Sequence, residues 1–440
     1  TRLVEFAQAF MGHMRGGLAQ VNILSSILFA GLSGSAVADT SALGSTLIPA
    51  MEKNGYTRKF AAAITAASSV IGPIIPPSGI MIIYAYVMGE SVAALFMAGI
   101  VPGILVGIGL MVMVRLMADR YDLPKAERIV HKNQIITKVE HNLSLLLVRI
   151  NLMGLLWAVF RLTSSFAGVA KPQGWVLVGT LAVLLVFAHF FFMWLRTVVS
   201  ADFRTVCKKG VVPLQTPIII LGGILVGVMT PTEASTVAVA YALLVSIFVL
   251  RSLTWADFFD VLQRSALASA SVLLLVGAAV AFKTIVATSG AATTMADIIL
   301  GMSENPLILL FLINILLFIV GMFLDAGPAI IILGPILGPI FTDIGVHPVH
   351  FAIIMSVNLT VGLATPPMGL VLFVASTVSR EKVETIAWAI LPFLAVEIVV
   401  IFLLTYFPQI SMTVPYLADF LGCPPEIGYM ACISPGPPAI

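Results

Sequence analysis

The sequence predicts an all-α polytopic membrane protein made of two pseudo-symmetric repeats, each with a re-entrant hairpin and a broken helix. Three observations predict it. The 440 residues are 60% hydrophobic and only 10% charged, and most of the apolar residues fall in stretches of roughly 17–25, the length that spans a bilayer as helix. Two further apolar stretches are shorter and carry Gly and Pro. The chain also matches itself at a fixed offset.

Apolar segments fall near 17–31, 57–75, 78–118 (interrupted at Gly89-Glu90), 143–161, 174–197, 211–229, 234–250, 266–288, 306–322, 348–364, 367–378 and 385–407. Each reads as a full or broken span. The stretches 36–51 and 326–341 are too short to cross, and their Gly and Pro suit re-entrant hairpins buried in protein. Residues 1–16 read as amphipathic and begin without Met. The tail after about 415 fits no span and is expected to be disordered.

Basic residues set the orientation. Arg115, Arg120, Lys125, Arg128, Lys132 and Lys138 fill the loop before 143, and Arg196, Arg204, Lys208 and Lys209 fill the loop before 211. Arg251 and Arg264 flank the loop after 250. Two spans separate each of these loops from the next, so all three share one side, which the positive-inside rule makes cytoplasmic. A net charge of +2 implies no nucleic-acid or acidic partner. Cys207, Cys423 and Cys432 make no plausible disulfide framework or metal spacing, and no cleavable signal peptide is visible.

The internal repeat carries the functional reading. Shifted by 290, residues 31–79 meet 321–369 without a gap. Gly31 meets Gly321, Gly44 meets Gly334, Pro49 meets Pro339 and Gly55 meets Gly345. Gly72 meets Gly362, Pro76-Pro77 meets Pro366-Pro367, and Gly79 meets Gly369. The matches are mostly the residues that set backbone shape, whereas shared apolar composition would yield Leu and Ile matches. Repeats with broken helices are how secondary transporters are built. A Pro-Pro step stops a helix and leaves carbonyls free at membrane depth, tolerable only where they line a cavity or bind a cation. "GPIIPPSG" (72–79) and "GLATPPMG" (362–369) are therefore candidate ion sites, each expected to face the hairpin of its own repeat.

"GLSGSAVAD" (31–39) opens the first hairpin. Sodium is a hard ion that takes oxygen ligands, as calcium and magnesium do. Ser33 and Ser35, with carbonyls near Gly72, Ile75 and Pro77, make a plausible first cage. The second would come from the 321–327 region (Gly321, Asp325, Gly327) with Gly362, Thr365 and Met368, where Asp325 stands at the place of Ser35. Asp39 and Asp325 are membrane-depth carboxylates and are functional candidates on that ground. The competing reading is that the serines only hydrogen-bond local backbone.

Those motifs, with "TPTEA" at 230–234 and "GMFLDAGPAIIILGPIL", resemble the large membrane subunit of tripartite ATP-independent periplasmic (TRAP) transporters, over roughly 1–120 and 205–415. The resemblance implies a sodium-coupled symporter of the elevator type in the bacterial inner membrane. It also implies a small four-helix membrane subunit, a periplasmic substrate-binding protein, and an organic-acid substrate such as a C4-dicarboxylate, keto acid or sialic acid. Na⁺ would be the co-transported ion, with no organic cofactor and no enzymatic activity. Ser33, Ser35, Gly72, Ile75 and Pro77 carry over as the first sodium site, while the second rests on repeat symmetry.

Residues 140–200 depart from the family as an apparent insertion of two spans. The first repeat also lacks the opening helices that the second has at 211–250 and 266–288, so the native chain is expected to be longer by tens of residues. The resulting organisation has a first repeat over 1–120 (hairpin 32–51, broken helix 57–90). A basic loop with the inserted hairpin follows over 121–204. The second repeat covers 205–415 (hairpin 324–341, broken helix 348–378), and the tail covers 416–440.

Other polar residues are weighed individually. Glu233, with Thr230 and Thr232, either caps a helix or lies near the ion or substrate. Asn358 sits mid-span and could orient the carbonyls of the second break. Lys283 suits snorkelling to an interface, and His189, Arg149 and Glu397 suit inter-helix or lipid contacts. "GLSG" also matches an intramembrane serine protease pattern, but such an enzyme needs a base, and His189 is the one mid-span histidine. A sodium symporter of related architecture acting without a binding protein is the nearer rival.

Overall fold

The computed structural model describes residues 2–12, 14–120, 123–124, 136–166, 174–290, 294, 297, 301, 303, 305–422 and 429–433. Among them there is no β-strand, and seven helices are long and apolar enough to cross a membrane. By packing the chain falls into two units, one of Thr1–His13 with Glu127–Ser252 and one of Met14–Ala126 with Leu253–Ile440.

The first unit holds α1 (Arg2–Met11), α7 (Lys138–Phe166), α8 (Gly174–Val198), α9 (Ala201–Leu225) and α10 (Pro231–Leu244). The amphipathic α1 lays Phe6 and Phe10 on α9: Phe10 meets Phe203 at 4.9 Å between ring centroids, and a Cβ on Gly210 would lie 2.7 Å from Phe6. Only Gly lets that ring come so close. Leu147 of α7 packs with Val212 of α9 and with Val245, just past the end of α10. Tyr241 donates to the carbonyl of Val212 at 2.8 Å. Thr230 and Glu233 form a reciprocal capping box at the start of α10, which satisfies two of the backbone donors that a helix start leaves open.

The second unit holds α2 (Gly17–Ser33), α3 (Ala36–Lys53), α4 (Arg58–Ser69), α5 (Gly79–Met88) and α6 (Val92–Arg120), then α11 (Trp255–Ser289). After α11 come α12 (Pro306–Phe323), α13 (Ala326–Asp343), α14 (Pro348–Gly362), α15 (Leu370–Ser379), α16 (Val383–Tyr406), α17 (Gln409–Leu417) and α18 (Tyr429–Ile433). The bounds of α2 to α5 recur in α12 to α15 at the 290-residue offset to within a few residues, and those of α3 recur in α13 without any shift. Both Pro-Pro bonds are cis.

Three sequence expectations change. The hairpins are larger than 32–51 and 324–341. α2 and α12, which the hydropathy pattern counts as separate spans, each run into a hairpin tip and return as α3 and α13. Asn22 of α2 lies 3.6 Å from the Met51 sulfur of α3, so the two arms run side by side. α13 has 18 residues and is long and apolar enough to cross by length and composition, where the sequence reads 326–341 as too short. Third, the tail is not wholly without structure: Tyr416 and Tyr429 pack at 4.9 Å between centroids, and Cys432 is disulfide-bonded while Cys207 is a free thiol.

Polar side chains fasten the first hairpin to α4. Asn22 donates to Thr65 Oγ1 at 2.7 Å, Ser26 donates to Ser68 at 2.8 Å, and Thr40 donates to Ser69 at 2.6 Å. All six are fully buried. Away from water, a severed partner is left unsatisfied. Asn22→Leu is expected to destabilise the protein by about 1 kcal/mol, the scale of inter-helix hydrogen bonds inside membranes. The check is the thermal midpoint of the purified protein in detergent, against Ser45→Ala, whose exposed hydroxyl bonds only the carbonyl of Ala42.

Candidate functional site

The first candidate site lies where the tip of hairpin α2–α3 meets the break between α4 and α5. Gly34, at φ +59°, turns the chain at the tip, a left-handed conformation that glycine adopts at least cost. Its Cβ position lies 3.3 Å from the carbonyl oxygen of Pro77 and 3.4 Å from the Gly79 nitrogen. The tip thus rests on the Pro-Pro step of its own repeat. α4 ends in a run of short-range turns, with Val70, Ile71 and Gly72 donating to the carbonyls of Ala67, Ser68 and Ser69. Ser78 then closes the break from the other side, donating to the carbonyl of Pro73 at 2.5 Å and capping α5.

Asp39 is the centre of this arrangement. It is fully buried. Its Oδ1 accepts the Ser33 hydroxyl, and its Oδ2 has no hydrogen-bond partner. A Cβ on Gly72 would collide with that same Oδ2, so the absence of a side chain at 72 is what admits the carboxylate to the break. Ser35 caps α3 by accepting from Ala38 at 3.4 Å, and its own N–H points to Ser33 Oγ at 3.3 Å. The structure therefore brings together Ser33, Ser35, Gly72 and Pro77, and adds Asp39, which the sequence marks as a functional carboxylate but leaves out of the first cage. Ile75 contributes a side chain packed against Gly103.

The second candidate site is built differently. A Cβ on Gly362 would lie 2.6 Å from the Gly321 backbone, and one on Gly321 would lie 2.7 Å from the Leu359 carbonyl oxygen. The hairpin arm and the broken helix meet there backbone to backbone. Thr365 is buried and returns its hydroxyl to the carbonyl of Val361 at 2.9 Å. Three assigned residues do not converge on that contact. Asp325 is exposed and caps α13 through Ala326 N–H at 2.8 Å. Met368 is half exposed. Gly327 faces Ile83 of the first repeat. Gly369 takes their place, its Cβ position 2.6 Å from the Leu363 carbonyl oxygen and 2.8 Å from that of Thr365.

Asn358 reaches Asn314, donating to its Oδ1 at 2.7 Å. Asn314 in turn donates to Thr405 at 3.0 Å. One buried chain of amides and a hydroxyl thus ties α14 to α12 and α16. The sequence singles out Asn358 but not its partners, although Asn314 is the lone strongly polar residue of an 18-residue apolar helix. Glu233 serves the capping box in the other unit. His189 is exposed and touches its neighbour Phe190, and Ser33 is engaged by a carboxylate. The side chain of Lys283 lies outside the described residues. Among those residues no group of three or more His, Cys, Asp or Glu could hold a metal ion.

Gly72→Ala is expected to expel the Asp39 carboxylate at a cost on the order of 1–3 kcal/mol for an overpacked site. Gly79→Ala, with nothing within 4 Å of its Cβ position, should be tolerated. Thermal midpoints of the two variants in detergent check the contrast.

The family model of the tripartite ATP-independent periplasmic transporter, DctM component, matches residues 1–410. The sialic acid TRAP transporter large permease protein SiaM of Vibrio cholerae is 34% identical over 424 residues, covering 96% of this chain and 82% of its own. The C4-dicarboxylate TRAP transporter large permease protein DctM of Pseudomonas aeruginosa is 32% identical over 414 residues, covering 94% and 81%. The isethionate TRAP transporter permease protein DctMQ of Oleidesulfovibrio alaskensis is 36% identical over 411 residues, covering 93% of this chain. This chain spans 54% of that relative.

Proposed function

The chain belongs to the DctM family of large permeases of TRAP transporters, and from that premise we propose that it performs sodium-coupled uptake of an organic acid by an elevator mechanism. It is a multi-pass protein of the bacterial inner membrane. In this reading a periplasmic binding protein delivers the acid, and a small four-helix membrane subunit completes the permease. The substrate class is drawn from the relatives, whose names specify sialic acid, C4-dicarboxylate and isethionate.

The observation that carries the proposal is Asp39. A buried carboxylate oxygen without a hydrogen-bond donor, inside a chain that crosses a membrane, calls for a positive partner. Ser33 supplies a second oxygen, and the break at 72–77 offers backbone carbonyls. This is an all-oxygen set suited to a hard cation such as Na⁺. The ion is cargo here: it enters with the substrate and leaves with it. A bound cation also holds the tip at 33–35 against its break, which would couple ion occupancy to the shape of the substrate-facing surface.

The elevator motion rests on how the repeats interlock. Each hairpin meets the break of its own repeat, and its outer arm also packs on the other repeat. A Cβ on Gly44 of α3 would lie 3.3 Å from Val378 of α15, and one on Gly334 of α13 would lie 3.6 Å from Met88 of α5. Separating any one of the four pieces would strand polar backbone at membrane depth at several kcal/mol. Moving them as one body avoids that cost.

Two measurements test the reading. Asp39→Asn in proteoliposomes with the binding protein and small subunit should raise the half-saturating sodium concentration at least ten-fold, about 1.4 kcal/mol of lost ion binding. An unchanged sodium dependence would remove Asp39 from the site, and uptake that needs no binding protein would favour a symporter acting alone. The second concerns rigidity. Thr40 and Ser69 stand 2.6 Å apart through their hydroxyls. A disulfide between cysteines at both positions should leave uptake within about two-fold of the reduced protein, because two parts of one moving body need not separate. Loss of uptake on oxidation, restored on reduction, would mean that tip and break part during transport.

A further inference from the structure

Three helices of the first unit gather positive side chains that find little opposite charge. Arg149 of α7 and Arg196 of α8 both reach the ring of Phe192, at 5.5 and 6.0 Å from its centroid. Arg204 of α9 donates to the backbone carbonyl of Arg196 at 3.1 Å. Lys208, one turn further along α9, approaches His141 Nδ1 of α7 at 3.4 Å. Lys208 lies ahead of the apolar stretch that begins at 211. Burial lowers its pKa from the ordinary lysine value, and the charges of Arg196 and Arg204 lower it further. The carboxylates that α7, α8 and α9 carry are Glu140 and Asp202. Glu140 is committed to Arg2 at 2.5 Å, and Asp202 sits exposed in the first turn of α9.

The surroundings say which anion fits. Arg149 lies inside the apolar span Lys138–Phe160 yet is exposed, where the bilayer supplies acyl chains rather than water. Its guanidinium lies over Phe192, one turn of α8 before Arg196, and a long cationic side chain at such a place can snorkel to the headgroup layer. The outward residues beside it are apolar: Leu146, Ile150, Phe190 and Met193 are each about half exposed or more. Cations beside exposed apolar side chains of two neighbouring helices, on the side assigned to the cytoplasm, match an amphiphile with an anionic head and hydrocarbon tails.

We propose that Arg149, Arg196, Arg204 and Lys208 form a binding site for the phosphate headgroup of an anionic phospholipid, with its acyl chains along α7 and α8. Arginine pairs suit phosphate because each guanidinium presents two parallel donors. Phe192 holds the two guanidinium groups in one layer through its ring face. The lipid would neutralise a cluster that otherwise repels itself, and would tie α7 and α8 to α9.

The test uses the full chain purified in detergent and mixed with phosphatidylglycerol or with phosphatidylcholine of the same acyl chains, retained lipid being counted by native mass spectrometry. Wild-type protein should retain phosphatidylglycerol about ten-fold better than phosphatidylcholine, as expected when several cations meet one anionic head. The double variant Arg149→Gln with Arg196→Gln should lose most of that preference. Arg149→Lys with Arg196→Lys should keep most of it, and Arg264→Gln, which removes an exposed cation paired with Asp260 in the other unit, should change nothing. Equal retention of both lipids by the wild type would overturn the proposal, and this arm decides even if the glutamine pair does not fold. So would undiminished preference in a folded glutamine pair. Displacement of the lipid by millimolar inorganic phosphate or glycerol phosphate would make the site one for a soluble anion. Loss of a co-purifying polypeptide from the glutamine pair, with lipid retention unchanged, would make it a protein interface.

Discussion

Everything in the second unit depends on covering backbone where helices stop inside a bilayer. Proline cannot donate a backbone hydrogen bond, and two in sequence free carbonyls that a continuous helix would have used. Water would satisfy them at a surface, but hydrocarbon cannot. The chain answers with protein. The Gly34 tip sits on Pro77, Ser78 reaches back to Pro73, and the Gly321 arm lies against Leu359 and Gly362 without an intervening side chain. Each answer needs close approach, which explains why glycine recurs at the hairpins and at the breaks.

Close approach alone would leave the hairpins free to rock. The hydrogen bonds from α2 and α3 to α4, and the Asn358–Asn314–Thr405 chain in the second half, remove that freedom. Individually such bonds are worth roughly 0.6–1 kcal/mol in membrane proteins. Their effect is directional rather than large: each fixes the rotation of one helix about its axis, which apolar packing against lipid-like surfaces leaves loosely set. The cross-packing of α3 on α15 and of α13 on α5 then joins the halves. Stiffness here comes from many modest contacts on shared elements.

The parts of this organisation that were legible in the sequence are those written in glycine and proline. The 290-residue offset, the two breaks and the interruption at Gly89 follow from residues that set backbone shape directly. Hairpin extent was not legible, because α2 and α12 are 17 and 18 residues long and hydropathy cannot separate a short span from a long hairpin arm. The role of Asp39 was half legible. Its depth marked it as functional, but its place depends on Gly72, 33 positions away, and only the folded chain brings them together. Asn314 and Thr405 were missed for the same reason: a polar residue in an apolar helix announces a partner without naming it. Most of the cationic layer on α7 to α9 is visible in the sequence as loop charge that sets orientation, but its convergence on Phe192 is a tertiary fact.

The two candidate sites cannot be energetic equals, although the backbone around them repeats. At the 290-residue offset, Ser33 corresponds to Phe323 and Asp39 to Ala329. The first site therefore holds a buried carboxylate and the second holds none in the same place. Asp325 does not replace it, because it is exposed and already caps α13. A cation entering the first site meets a carboxylate in a low-dielectric setting, where an ion pair is strong once both partners are desolvated. A cation at the second would meet carbonyl and hydroxyl dipoles around Gly362, Thr365 and Gly369, with the carboxylate screened by its exposure. In a repeat protein, shared glycine and proline preserve the shape of both cradles while the side chains between them diverge. Removing charge should thus weaken ion binding in the first cradle far more than in the second, and any coupling between ion and substrate need not divide evenly between the halves.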